Sequence, residues 1–276
     1  MLPFYRKYAI LICVIAAGAY IVVSTAWSLL TGTIMAATLQ GLIASLVVFF
    51  GALGISGYVM NRKATEETER LFALYNDACD PESFVEQGAE VARVAETTSG
   101  ELASWYLSYY GQALLDTGRV DRARKIYNEQ LERVDALKKD ADRAAVIVNM
   151  VPLGCKLDDP EHVLSLIERS IALLPGDDYA STQRRTFLEI QRDVVQARIA
   201  GDDEKLVSLY ERMRSESANP LRVRVERTWD EAQACFRMGD VPREIDCLSF
   251  VVANGNKLAL VAPARARLAT LGGSQS

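Results

Sequence analysis

The chain has 276 residues, half of them hydrophobic, with 31 lysines and arginines against 36 aspartates and glutamates, a net charge of −5. Only Arg6 and Lys7 of the basic residues precede position 62, so the remainder carries 29 basic against 36 acidic side chains, a net of −7 that argues against a nucleic-acid partner. Five cysteines (Cys13, Cys79, Cys155, Cys235, Cys247) are scattered without a C-x-x-C pair, which fits buried thiols in a reducing cytoplasm; only Cys235 and Cys247 could face each other across a helical turn.

Between Lys7 and Arg62 there is no charged residue. Two apolar runs, about 8–30 and 34–60, each exceed the ~20 residues that a helix rising 1.5 Å per residue needs to cross a hydrocarbon core about 30 Å thick. Thr31, Gly32 and Thr33 between them suit a tight turn, so residues 1–61 are predicted to form a two-span transmembrane hairpin. Arg6 and Lys7 before the first span and Arg62 and Lys63 after the second place both termini, and the large domain, in the cytoplasm. A cleaved signal peptide is the competing reading of 8–30, but the run is long for one and no A-x-A site closes it. Ala37, Gly41 and Ser45 recur every four residues, followed by Gly51, Gly54 and Gly57; small residues at such spacing let helix backbones approach closely in lipid. The compact anchor points to a bacterial plasma (inner) membrane, with the bilayer as one partner.

Residues 62–271 are predicted to be a helical domain, with 272–276 a disordered tail. Helix breaks fall near Asp80-Pro81, Gly118, Asp159-Pro160, Gly201 and Gly239, about 40 residues apart, a period that signals stacked repeats. Asp80 and Asp159 are fitting N-caps with proline at the next, first helical position, and the three glycines fit helix C-termini. Along 120–134, Val120, Ala123, Ile126, Tyr127, Leu131 and Val134 share one face; along 162–174, Val163, Leu166, Ile167, Ile171 and Leu174 do so. Residues 258–271 read as a last capping helix with a break near Pro263.

These residues resemble the tetratricopeptide repeat family, which pairs helices in 34-residue units. Gly111 matches the small residue of a first helix, Gly118 the turn, Ala123 the small residue of the second helix and Tyr127 its aromatic. Residues 171–175 look like the family's closing segment; Tyr210 and Pro220 match weakly, and Ala232 with Gly239-Asp240 match in the last unit. The resemblance covers roughly 64–253, with units longer than the family's, and implies an all-α architecture: a transmembrane hairpin followed by an α-solenoid.

No catalytic motif is present: no H-E-x-x-H, no P-loop, no glycine-rich dinucleotide fingerprint and no G-x-S-x-G elbow. No cofactor or metal is expected, and no enzyme activity; Asp158, Asp159 and Glu161 around the single histidine, His162, read as helix capping. Arg222, Arg224 and Arg227, with Arg184, Arg185 and Arg192 one unit earlier, read either as a solvated face or as a pocket for an acidic peptide. The resemblance implies a concave surface of first helices, on which Trp105, Ser108 and Gln112 fall in one unit and Trp229, Gln233 and Phe236 in the last. The expected function is therefore a membrane-anchored scaffold or adaptor that binds a protein or peptide partner through Trp105, Ser108, Gln112, Arg224, Arg227, Trp229, Gln233 and Phe236. The alternative is a structural or regulatory subunit whose hairpin makes the functional contact, and the remote one a hydrolase-like enzyme using carboxylates.

Overall fold

The computed structural model describes Leu11, Val14, Ile15, Gly18, Ala19, Val22, Val23, Ala26, Arg62 and residues 65–273 except 177 and 216–218. The chain divides into two compact units, Met1–Arg70 and Leu71–Ser276. In the first unit the described positions are helical, and Arg62 Nε donates to Glu66 Oε1 at 2.8 Å. The expected spans are otherwise outside the described residues, as are Ala37, Gly41, Ser45, Gly51, Gly54 and Gly57. Among the described residues no helix is long and apolar enough to cross a membrane.

The second unit is all-α, with no strand among its described residues. Helical residues 71–76 open it; α1 (Pro81–Glu96), α2 (Glu101–Asp116), α3 (Val120–Val134), α4 (Asp140–Leu157) and α5 (Pro160–Leu173) follow. Then come α6 (Tyr179–Ala200), α7 (Asp203–Ser215), α8 (Leu221–Met238), α9 (Val241–Asn254) and α10 (Val261–Gly273). Local chemistry sets most of these boundaries. Carboxylates accept the otherwise unbonded first-turn N–H groups: Asp80 from Ser83 at 3.1 Å, Asp159 from Glu161 at 2.8 Å, Asp178 from Ser181 at 3.0 Å and Asp240 from Arg243 at 3.2 Å. Proline follows three of these caps at the start of α1, α5 and α9, where its missing N–H is no loss. Gly201 and Gly239 end α6 and α8 in the left-handed conformation at φ 66° and 75°.

Each helix packs on the next in sequence, and α2 also packs on α4, a pattern compatible with a helical repeat. Gly111 lies close under that second contact: a Cβ there would come within 2.6 Å of Leu153 Cδ2 on α4 and oblige that side chain to shift. The apolar faces predicted for α3 and α5 are largely the buried ones, with Ala123, Ile126, Tyr127 and Val134, and Val163, Leu166 and Ile167, inside. Val120 is exposed instead, and Gln130 takes a buried place on α3. An aromatic cluster fills the space between residues 71–76, α1 and α2. Phe84 lies 5.3 Å from Tyr75, 5.6 Å from Phe72 and 6.0 Å from Tyr106 between ring centroids. The last helix differs from expectation. It starts at Val261, so Pro263 sits in its first turn and breaks nothing, and it runs through Gly272 to Gly273.

Candidate functional site

Arg222, in the first turn of α8, is 2% exposed. Its Nε donates to Asn76 Oδ1 at 3.1 Å, and its Nη1 donates to Gln112 Oε1 at 3.3 Å and to Glu226 Oε1 at 2.8 Å. The guanidinium carbon lies 4.4 Å from the ring centre of Tyr75 and 5.3 Å from that of Tyr109. Lys156 Nζ donates to Glu226 Oε1 at 2.8 Å, and Tyr75 Oη donates to Asp116 Oδ2 at 2.7 Å. Asn76, Asp116 and Lys156 stand at the C-terminal ends of residues 71–76, α2 and α4, so side chains from three helix ends take part in the network around Arg222 and Glu226. Burial pushes the Asp116 carboxyl above its ordinary value, against the pull of Lys156. Burial alone would raise Glu226 too, but Arg222 and then Lys156 hold it well below the usual carboxylate range. These groups satisfy one another, and the arrangement is a bolt that joins α8 to residues 71–76, α2 and α4.

A solvent-facing cleft of about 460 Å³ lies between α6, α7 and α8, lined by Arg198, Asp203, Tyr210, Asp230, Gln233 and Arg237 among others. Arg198 Nε and Nη2 donate to Tyr210 Oη at 3.0 and 2.8 Å, and Arg237 Nε and Nη2 donate to Asp203 Oδ1 at 2.8 and 2.7 Å. Asp230 Oδ2 accepts from Arg227 Nη1 at 3.2 Å, while the buried Nε of Arg227 has no hydrogen-bond partner. A guanidinium carries five N–H donors, so these bonds leave donors for an incoming carboxylate. The Arg237–Asp203 pair is half exposed on the arginine side and yields easily to a competing anion. Among the described residues no cluster of His, Cys, Asp and Glu could hold a metal ion.

The residues singled out in the sequence fall into separate places. Ser108 and Gln112 are buried, and half-buried Trp105 stacks on Phe72 at 4.5 Å, so this set packs inside the unit. Trp229 is half-buried; Arg224 lies 5.8 Å from the ring centre of Phe250. Phe236 is 49% exposed beneath Arg267, whose guanidinium carbon is 4.5 Å from its ring centre. Only Gln233, on the cleft wall, and Arg227, through Asp230, come together at an open site. Arg198, Tyr210, Asp230 and Arg237 were not legible as lining, although Arg198 and Arg237 each stand within a turn of a helix-ending glycine.

A second groove, about 350 Å³, lies between α3 and α5 and includes Tyr127, Asp158, His162 and Arg169. Asp158 Oδ2 accepts from Tyr127 Oη at 2.9 Å and pairs with His162 Nδ1 at 2.5 Å, while its Oδ1 accepts from the Asp159 N–H at 2.9 Å. Burial alone would raise Asp158, but the bonds from His162, Asp159 and Tyr127 outweigh it and hold the carboxyl below its ordinary value. A depressed carboxyl contributes stability that is complete above the unfolded value of about 3.9 and is lost as pH falls through the folded one. Asp158→Asn is therefore expected to flatten the loss of denaturation midpoint between pH 5 and pH 2.5. A variant that loses as much as wild type over that range rules out this contribution.

No protein-family model, no curated protein and no solved structure matches the chain.

Proposed function

We propose that this protein is a membrane-anchored adaptor: a tetratricopeptide-like helical-repeat domain held at the cytoplasmic face of a plasma membrane by an N-terminal two-span hairpin, binding a protein or peptide partner without catalysing a reaction. The charge-free stretch between Lys7 and Arg62 supports the anchor, and its flanking basic residues support the orientation. The cleft between α6, α7 and α8 carries the reading of function. It is open, it presents Arg198, Arg237 and Gln233 together, and guanidinium with amide donors suits an acidic peptide side chain.

The test is in-cell photo-cross-linking from a probe residue at Gln233 in the full-length protein, with the same probe at exposed Lys125 on α3 as the control. The adaptor reading expects a discrete adduct at position 233 that is absent at 125 and weakens at least ~10-fold with Arg237→Ala, the loss of one charge-assisted contact. Identical adducts at both positions, or none at 233, would overturn it.

A further inference from the structure

A late turn of the second unit lies beside an early one. Asn256 Nδ2 donates to Ala78 O at 2.7 Å, the Lys257 N–H donates to Cys79 O at 3.2 Å, and Lys257 Nζ donates to Asp80 Oδ2 at 2.6 Å. These bonds form a seam between turn 77–80 and turn 255–258. Among the helices from α1 onward, α1 and α2 pack extensively on none of α8, α9 and α10, and behind the seam the two sides meet chiefly at Arg222, against Tyr75, Asn76, Tyr109 and Gln112.

Two further observations set this seam apart. The non-glycine residues with left-handed backbone among the described ones are Cys79 at φ 50° and Asn256 at φ 47°, one on each side of it. Asparagine tolerates that conformation; cysteine, with a Cβ and no local hydrogen bond to offer, is disfavoured there. Backbone strain of this kind gathers where a fold switches or clamps. The polar groups behind the seam are also satisfied on each side separately. Tyr75 and Asp116 bond each other on one side, and Arg222 and Glu226 of α8 bond each other on the other; Lys156, on α4 beside α2, donates to Glu226 across the two and is itself one-third exposed. The hydrogen bonds of Arg222 that cross, to Asn76 and Gln112, are its longest and go to neutral groups. Parting the two sides therefore strands no buried ion without its counter-ion, which removes the largest electrostatic penalty for opening.

We propose that this seam is a latch: turns 77–80 and 255–258 part reversibly while the helices remain folded, uncovering Tyr75, Tyr109 and Gln112, which the closed form packs against Arg222. The latch is independent of where the partner of the adaptor binds.

Cys79 reports on it directly. Cys79, Cys235 and Cys247 are 0%, 1% and 3% exposed, and burial pushes their thiols up to about 11, 11 and 12, so none reacts in the closed state. The experiment treats the full-length protein with N-ethylmaleimide and follows modification of each cysteine by peptide mass spectrometry. Sub-global opening labels Cys79 at least ~10-fold faster than the other two, which wait for their own part of the fold to open. The double variant Asn256→Asp, Lys257→Ala replaces one donor by an acceptor and removes the other side-chain donor. It is expected to accelerate Cys79 roughly tenfold further while leaving Cys235 and Cys247 within about twofold. Equal rates for the three cysteines in the wild-type protein overturn the latch. So does a variant that leaves Cys79 unchanged, or one that accelerates all three together.

Discussion

Replacing Arg222 by alanine lowers the stability of the helical unit by about 3 kcal/mol, the lower end of the range for breaking a buried ion pair. The melting temperature should drop by roughly 6–12 °C for a unit of this size. The loss is mainly the cost of what stays behind. Glu226 keeps Lys156, but Asn76 and Gln112 lose a donor, and the cavity between Tyr75 and Tyr109 loses its occupant. Arg222→Lys should recover less than half of the difference, because an ammonium cannot lie flat on a ring while bonding to groups on two other helices. Chemical denaturation of the three proteins in parallel decides the matter: a loss below about 1 kcal/mol for Arg222→Ala would mean that the guanidinium is solvated and bolts nothing.

Phe84→Ala is expected to cost as much or more, about 3–5 kcal/mol, the range for truncating a buried aromatic. Phe84 is fully buried, and its ring is flanked by Phe72, Tyr75, Tyr106 and Tyr110. These neighbours cannot close the space. Tyr106 Oη and Tyr110 Oη are tied to the carbonyls of Gly88 and Val85 on α1 at 2.9 and 3.3 Å, and Tyr75 Oη is tied to Asp116. A rigid surround leaves a full cavity, so Phe84→Leu, which keeps most of the volume, should cost about 1.5 kcal/mol or less. The comparison of Phe84→Ala with Phe84→Leu is the measurement; equal losses would mean that the surround collapses and that the ring cluster is soft.

The parts of this fold that were legible in the sequence are those whose causes lie within one helical turn. Asp80, Asp159, Gly201 and Gly239 mark helix ends because a cap bonds to N–H groups two or three residues away, or because a left-handed residue follows a last turn. The period of Ala123, Ile126, Tyr127 and Val134 marked the buried face of α3 for the same local reason. Arg222 was not legible. It is grouped in sequence with Arg224 and Arg227, yet two of its partners, Asn76 and Gln112, are 146 and 110 residues away. Nothing in a helical periodicity distinguishes an arginine that faces water from one buried against the side chains of two other helices. The repeat resemblance implied an open surface for Trp105, Ser108 and Gln112, whereas Trp105 stacks on Phe72 and Gln112 accepts from Arg222 of α8.

The seam also fixes an order of events in folding. Most helix packing in the unit joins helices adjacent in sequence and forms after closing only a short loop, whereas the bonds of Arg222 to Gln112 and Asn76 span 110 and 146 residues and Asn256 meets Ala78 across 178. Refolding should therefore build its helix pairs first and make these distant contacts last. Helical circular dichroism would then recover before Cys79 becomes protected from maleimide, and the lag between the two signals would measure the time turn 255–258 takes to find turn 77–80.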